Sequence, residues 1–328
     1  MVLNKSQNRI VRLLLRKGSA SKKELSAAMG LTAPALSIFT KPMIEEGLIV
    51  IEGKKGNGKA GRKEEMLSLS PNYGYFLGCD FKPRYVIVTK MDLSGTLLFE
   101  KRYVDLDGAY NCLKAEIEKK RPLGIAFIHR KSVLRNDALE LKLKLSELYD
   151  EVYSSANNVE TLGNIYHYYH EDEPNFLLIK YGPGLGSCIY VNNAPIVRKN
   201  GVLSEIGHAF LMDGTTLEDR VSFSTLLNKE IEEKEGAPLV YQDKEMLSKV
   251  IESISLALMD ADALLALDKI IFAGILLSKS DVLEMIRKQI LSYDPSFQTD
   301  KISIYPDYER LNSSKACLEA FFQAFPID

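Results

Sequence analysis

Residues 21–47 read Ser21-Lys-Lys-Glu-Leu-Ser-Ala-Ala-Met-Gly-Leu-Thr-Ala-Pro-Ala-Leu-Ser-Ile-Phe-Thr-Lys-Pro-Met-Ile-Glu-Glu-Gly47. Ser21 and Glu24 have the Ser-x-x-Glu form of a capping box, in which each side chain accepts a backbone N–H at a helix start. Leu25, Ala28 and Met29 follow at helical spacing, and Gly30 ends the segment. Thr32 is the N-cap of a further helix, and Pro34 fits its first turn, where an N–H has no partner to lose. Leu36, Phe39, Met43 and Ile44 supply the inward face of that helix, and Gly47 closes it. Pro42 removes one backbone bond inside it and predicts a kink. Two short helices across a tight Gly-Leu-Thr turn are the helix-turn-helix arrangement.

Working outward, Gln7–Arg16 is an amphipathic helix with Ile10, Leu13 and Leu14 on one face, stopped by Gly18. Downstream, Leu48–Glu52 and Met66–Leu69 make a hairpin whose tip, Gly53–Lys63, holds four glycines, five bases and no acid. Glycines let a loop approach closely and Lys and Arg neutralise phosphates, which is what a DNA-contacting wing requires. The expected unit is a winged helix-turn-helix over residues 1–70. Its third helix would enter the major groove, with Thr32, Ala33, Ala35, Ser37, Thr40 and Lys41 facing solvent. No Arg, Asn or Gln lies on that helix, so bidentate base contacts are not expected from it. Lys54, Lys55, Lys59, Arg62 and Lys63 of the wing would set affinity rather than sequence preference. A three-helix protein-interaction module or a plain surface hairpin is the alternative, but it leaves the basic tip without a reason.

The net charge of −2 over 328 residues hides an asymmetry. Residues 1–70 carry thirteen Lys and Arg against six acids, a balance of +7, and the remainder carries −9. A basic head on an acidic body suits contact with a polyanion. Hydrophobic content of 46% and charged content of 26% are ordinary for a globular chain. No apolar run is long enough to span a bilayer and no leader pattern opens the sequence, so a cytoplasmic location without membrane contact is expected. Cys79, Cys112, Cys188 and Cys317 are scattered, which argues for reduced thiols rather than disulfides or a cysteine-rich metal site.

Residues 71–74 read as a linker. Beyond it, strand-like runs at Tyr75–Asp80, Tyr85–Met91 and Leu97–Val104 precede helices and buried strands in alternation, which predicts a mixed α/β body. A second set of the same kind begins at Asn175–Tyr181 and Ser187–Asn192, around Gly182-Pro-Gly-Leu-Gly186. Two lobes of like build imply a ligand cleft between them. The expected lobes are 75–155 with 313–328, and 156–312. His167, His170, Glu171, Asp172 and Glu173 could suggest a metal, but a charged helix end is the better reading.

The stretch Tyr181-Gly-Pro-Gly-Leu-Gly-Ser-Cys-Ile-Tyr-Val-Asn-Asn193, followed by Gly201 and by Glu205-Ile-Gly-His208, resembles the ROK family of repressors, open reading frames and sugar kinases. The resemblance runs over nearly the whole chain. It implies a winged helix-turn-helix followed by a two-lobed α/β domain of the actin/hexokinase type. Three departures matter. Where family kinases carry Asp-x-Gly-Gly-Thr, this chain has Asp80-Phe-Lys-Pro-Arg84, and Phe81–Arg84 are expected to fill the phosphate cradle. Ala156 falls at the catalytic aspartate position, so no general base is available for sugar phosphorylation. The cysteines that join the family histidine on zinc are missing from residues 212–220, leaving His208 to bond within its lobe or to touch a ligand.

The resemblance therefore implies a repressor of carbohydrate-related genes, not an enzyme, without cofactor or metal. A sugar or sugar-derivative effector would contact Asn157, Asn158, Arg198, Gly201, Glu205 and His208; an inward Arg198 would favour a sugar phosphate. Homodimers, or dimers of dimers, would pair two heads on palindromic double-stranded DNA. A sugar kinase with a fused DNA-binding head is the second reading, and a regulator controlled by a protein partner the third.

Overall fold

The computed structural model describes residues 2–55, 64–130, 132–149, 153–199 and 203–327. The head runs α1 (Lys5–Lys17), β1 (Ser19–Ser21), α2 (Lys22–Met29), α3 (Ala33–Glu45), β2 (Ile49–Lys55) and β3 (Glu64–Leu69). The anticipated capping box is made: Glu24 N–H donates to Ser21 Oγ at 3.2 Å, and Ser21 N–H donates to Glu24 at 2.7 Å. A second box, Asn4 with Gln7, starts α1 two residues before the sequence reading placed it. Gly30 closes α2 in the left-handed conformation, at φ +65°. The chain passes through Pro42 as α-helix to Glu45. The strand β1 was not anticipated; three residues suffice to pair antiparallel with β3, giving a sheet in the order β1-β3-β2. Ile10, Leu14, Leu25, Leu36, Met43 and Leu67 are fully buried in the head.

The chain divides into two compact units, Met1–Thr161 with Asn312–Asp328, and Leu162–Leu311. The head belongs to the first unit rather than forming one of its own. The reason lies in α1, which is bonded to the end of the chain. Arg12 donates to the carbonyls of Phe325 and Phe322 at 2.7 and 2.9 Å, and its guanidinium lies 4.9 Å from the Phe322 ring centre. Asn8 donates to the Pro326 carbonyl at 2.8 Å. These carbonyls end or follow a helix, where no intrahelical N–H is left to satisfy them.

The rest of the first unit comprises β4 (Tyr75–Lys82), β5 (Tyr85–Asp92), β6 (Leu97–Tyr103), α4 (Leu106–Lys119), β7 (Gly124–His129), α5 (Ser132–Leu145), β8 (Tyr153–Asn157) and the start of α6 (Asn158–Tyr169). The sheet order is β6-β5-β4-β7-β8, antiparallel on the β5–β6 side and parallel toward β8. Period-two alternation sorts β4: Tyr75, Leu77, Cys79 and Phe81 enter the core beneath α4 and α5. Phe76, Gly78 and Asp80 face the other side, where α12 (Tyr308–Ala324) packs. There Phe76 meets Phe321 edge-on at 5.7 Å, and a Cβ on Gly78 would lie 2.5 Å from Ala316 Cβ.

The second unit contains β9 (Phe176–Tyr181), β10 (Leu185–Val191), β11 (Ala194–Pro195), α7 (Leu217–Val221), α8 (Phe223–Leu226), α9 (Glu233–Gln242), α10 (Lys244–Leu265), β12 (Lys269–Ala273), α11 (Ser280–Tyr293) and β13 (Ile302–Ile304). Its sheet order, β11-β10-β9-β12-β13, repeats the first sheet in both order and strand direction. The helices α7 to α9 were left unassigned from sequence because they are short, and α9 carries Gly236 and Pro238. Among the described residues, no helix is long and apolar enough to cross a membrane.

Candidate nucleic-acid interface and ligand site

On α3, Thr32, Ala33 and Lys41 are exposed, and Ala35 and Ser37 are half-buried. Thr40 is not on this face: it is 1% exposed, and its hydroxyl donates to the Leu36 carbonyl at 3.2 Å. Four residues after Leu36 and three before Met43, it shares their inward stripe. Ile38, passed over in the sequence reading, is 72% exposed instead. The outward side of α3 is therefore Thr32, Ala33, Ala35, Ser37, Ile38 and Lys41. Lys54 and Lys55 lie in β2, opposite Glu65 and Glu64 in register. Lys59, Arg62 and Lys63 fall outside the described residues.

In the first unit, of the segment Phe81–Arg84 expected to fill the phosphate cradle, Lys82 turns toward Asp80 and Phe81 does not. Phe81 points into the core against Phe127, at 6.2 Å between ring centres, and Pro83 and Arg84 are exposed in the turn. It is Lys315 of α12 and Lys82 that close on Asp80; Lys82 Nζ stands 2.7 Å from the carboxylate and Lys315 is bonded to it directly. Burial alone would raise the Asp80 carboxyl, but the two ammonium groups outweigh it and hold it down, to about 2. An acid so paired does not offer a free carboxylate to a metal. Ala156, which the family resemblance places at the catalytic-base position, is buried in an apolar contact with Ile128 and Ala316. Beside it, Asn157 caps α6 by accepting Val159 N–H at 2.9 Å. Asn158 is 5% exposed, and its Oδ1 has no partner among the described residues.

In the second unit, Glu205 accepts the Ser187 N–H at 3.1 Å, and the Ile206 N–H donates to Ser187 Oγ at 2.8 Å, which ties residues 205–208 to β10. Burial, the largest influence, pushes the Glu205 carboxyl up together with Glu218, while the Ser187 N–H, His208 and Arg198 draw it down. Glu205, His208 and Arg198 are thus electrically coupled, although His208 and Arg198 are exposed and only Glu205 is partly covered. Gly201 falls outside the described residues. Among those residues no group of three or more His, Cys, Asp or Glu could hold a metal. The His167–Glu173 segment is stitched to aromatic rings instead: His170 stacks on Tyr166 at 4.2 Å and His167 on Tyr190 at 5.3 Å. Past His208, Phe210 and Met212 line an apolar groove of about 550 Å³ against Leu256 and Leu264 of α10.

Sequence reasoning missed four contributors. Ile38 carries no polar signal. Glu218 and Glu233 lie on α7 and α9, which were unassigned. Lys315 did leave a trace, as a charge directly before the apolar run Ala316–Leu318.

Residues 3–50 match a family model described as winged helix-turn-helix DNA-binding. A 92-residue segment is 25% identical to a protein of Caldicellulosiruptor sp. (strain Rt8B.4) named "Putative xylose repressor". That segment is 28% of this chain and spans only 23% of the relative. Among solved structures, a ROK family transcriptional regulator that is a homolog of the E. coli MLC protein matches 98% of this chain and 97% of its own, with TM-score 0.66 and 17% identity. A ROK family protein from Streptococcus pneumoniae TIGR4, solved with sucrose, matches 76% of this chain and 98% of its own, at TM-score 0.62 and 14% identity. The ROK hexokinase of Thermus thermophilus covers 76% and 98%, at TM-score 0.58 and 13% identity. The chain therefore carries a winged helix-turn-helix at its N-terminus and, over nearly its whole length, the fold of a ROK-family transcriptional regulator.

Proposed function

We propose that the chain is a DNA-binding transcriptional repressor of carbohydrate-related genes that answers to a sugar or sugar-derivative effector and has no phosphoryl-transfer activity. The observation that carries this reading is the head itself. A capped α3 presents its N-terminal half outward within a segment that matches a DNA-binding family model, and the sequence just beyond that segment, Gly53–Lys63, is basic. The buried methyl of Ala156 and the neutralised Asp80 argue against a kinase, since neither can accept a hydroxyl proton or hold a metal–phosphate. In the second unit, Glu205 with His208 and Arg198 near it are the groups we assign to the effector, because a carboxylate, an imidazole and a guanidinium together can bond hydroxyls and an anionic substituent. The DNA-bound form would be a homodimer or a dimer of dimers on a palindromic duplex.

Fluorescence anisotropy with a labelled duplex tests the central claim. Binding should weaken steeply as salt rises, because phosphate neutralisation releases counterions. Absence of duplex binding at low salt would sink it. Incubation with ATP and a panel of hexoses should give no sugar phosphate; turnover at ordinary kinase rates, about 1–100 per second, would instead establish the second reading.

A further inference from the structure

One large apolar side chain stands in water on the outward side of α3. Ile38 is 72% exposed, in a helix whose Leu36 and Met43 are fully buried. Its neighbours a turn before it on the same face are Pro34 and Ala35, and a turn after it come Lys41 and Pro42. Apart from Lys41, the surface around Ile38 is therefore apolar and short-chained.

The hydroxyls on this face are already engaged. Ser37 donates its proton to the Ala33 carbonyl at 2.9 Å, and Thr32 Oγ1 accepts the Ala35 N–H at 3.4 Å as the helix cap. Lys41 lies 3.8 Å from the Glu45 carboxylate. Between Thr32 and Lys41 no side chain carries the paired donors or acceptors that tell one base pair from another by hydrogen bonds. A helix with such a face still meets one apolar group in the major groove that differs among base pairs, the methyl group of thymine.

We propose that Ile38 is a specificity-determining residue of the head, and that it selects A·T pairs by packing against thymine methyl groups. The selection comes from burial. A methyl covered by Ile38 leaves water, whereas a cytosine at the same place presents an amino group that the isoleucine would cover without a partner. The inference rests on the DNA-binding reading and adds to it the base chemistry that α3 recognises.

The probe is the tightest-binding duplex recovered from a randomised pool, synthesised once with thymine and once with deoxyuridine, which lacks only that methyl. In fluorescence anisotropy the full chain should bind the uridine duplex about fourfold more weakly for each methyl contacted, the value of one buried methyl-sized group. Ile38→Ala should bind the two duplexes alike, while Lys41→Ala should keep the full difference. Cytosine methylated at the same ring carbon, set in place of thymine with guanine opposite, should be bound more tightly than plain cytosine there. Equal binding of the thymine and uridine duplexes by the full chain would overturn the proposal. A difference that persists undiminished in Ile38→Ala would overturn it too, since it would then come from duplex shape. So would the absence of any gain from methylated cytosine. If the pool yields no bound duplex, the DNA-binding reading fails and this inference with it; a duplex bound equally with or without the methyl refutes this inference alone.

Discussion

Lys315 is 2% exposed in a helix whose buried residues are mostly apolar, and it survives there because Asp80 receives it. Breaking one half of such a pair leaves an uncompensated buried charge, which costs about 3–5 kcal/mol. Asp80→Asn should therefore destabilise the chain strongly, whereas Asp80→Leu combined with Lys315→Met should recover most of the loss; chemical denaturation of the two variants measures both. The pair also predicts an acid limb. A carboxyl held at about 2 when folded and near 3.8 when unfolded contributes stability that is complete above the unfolded value and fades as pH falls through the folded one. The contribution, on the order of 2 kcal/mol, should vanish between about pH 4 and pH 2, and Asp80→Leu/Lys315→Met should lack that limb. Sequence reading marked the loss of the glycines after Asp80 but gave the filling to Phe81–Arg84. Strand alternation divides that segment: Phe81 points away from Asp80 and Lys82 toward it, and the second partner, Lys315, lies 235 residues away in sequence.

At the scale of elements, the head was legible almost to the residue, because caps and glycine stops are local signals that need no tertiary partner. The error at Thr40 is instructive. Polarity suggested an outward side chain, but its position, four residues after Leu36, put it on the inner stripe, and its hydroxyl is satisfied by the helix itself. A substitution pair separates the two faces. Ile38→Ala should leave the melting midpoint within about 0.5 kcal/mol of the parent while changing which duplex sequences bind best. Thr40→Lys should lower the midpoint and abolish binding to all sequences together, as a buried unpaired charge must. For the wing, Lys54→Ala with Lys55→Ala should weaken binding alike on every duplex and reduce the salt slope by roughly 1.8, about 0.9 for each phosphate released. An unchanged slope would take these two residues off the contact surface.

For the whole molecule, the sequence carries two readable α/β sets, and the structure turns them into two sheets of identical order. What spacing could not show is that the head is held by the chain's far end. Arg12 and Asn8 carry no local sign of this, because their partners, the carbonyls of residues 322–326, lie more than 300 positions away. Arg12→Ala should lower the melting midpoint by a few degrees, roughly 2–4 °C per kcal/mol lost, and raise hydrogen exchange in α1 and in the last turn of α12 together. Faster exchange in α1 alone would mean that the contact does not couple them. The repeated sheets carry a last consequence. In each, the end of the first strand holds a buried ion pair of opposite sense: Asp80 against two lysines in one, Lys180 against a glutamate in the other. The two pairs lie in separate units and share no residue, so no single substitution removes both, and their contributions to stability should add.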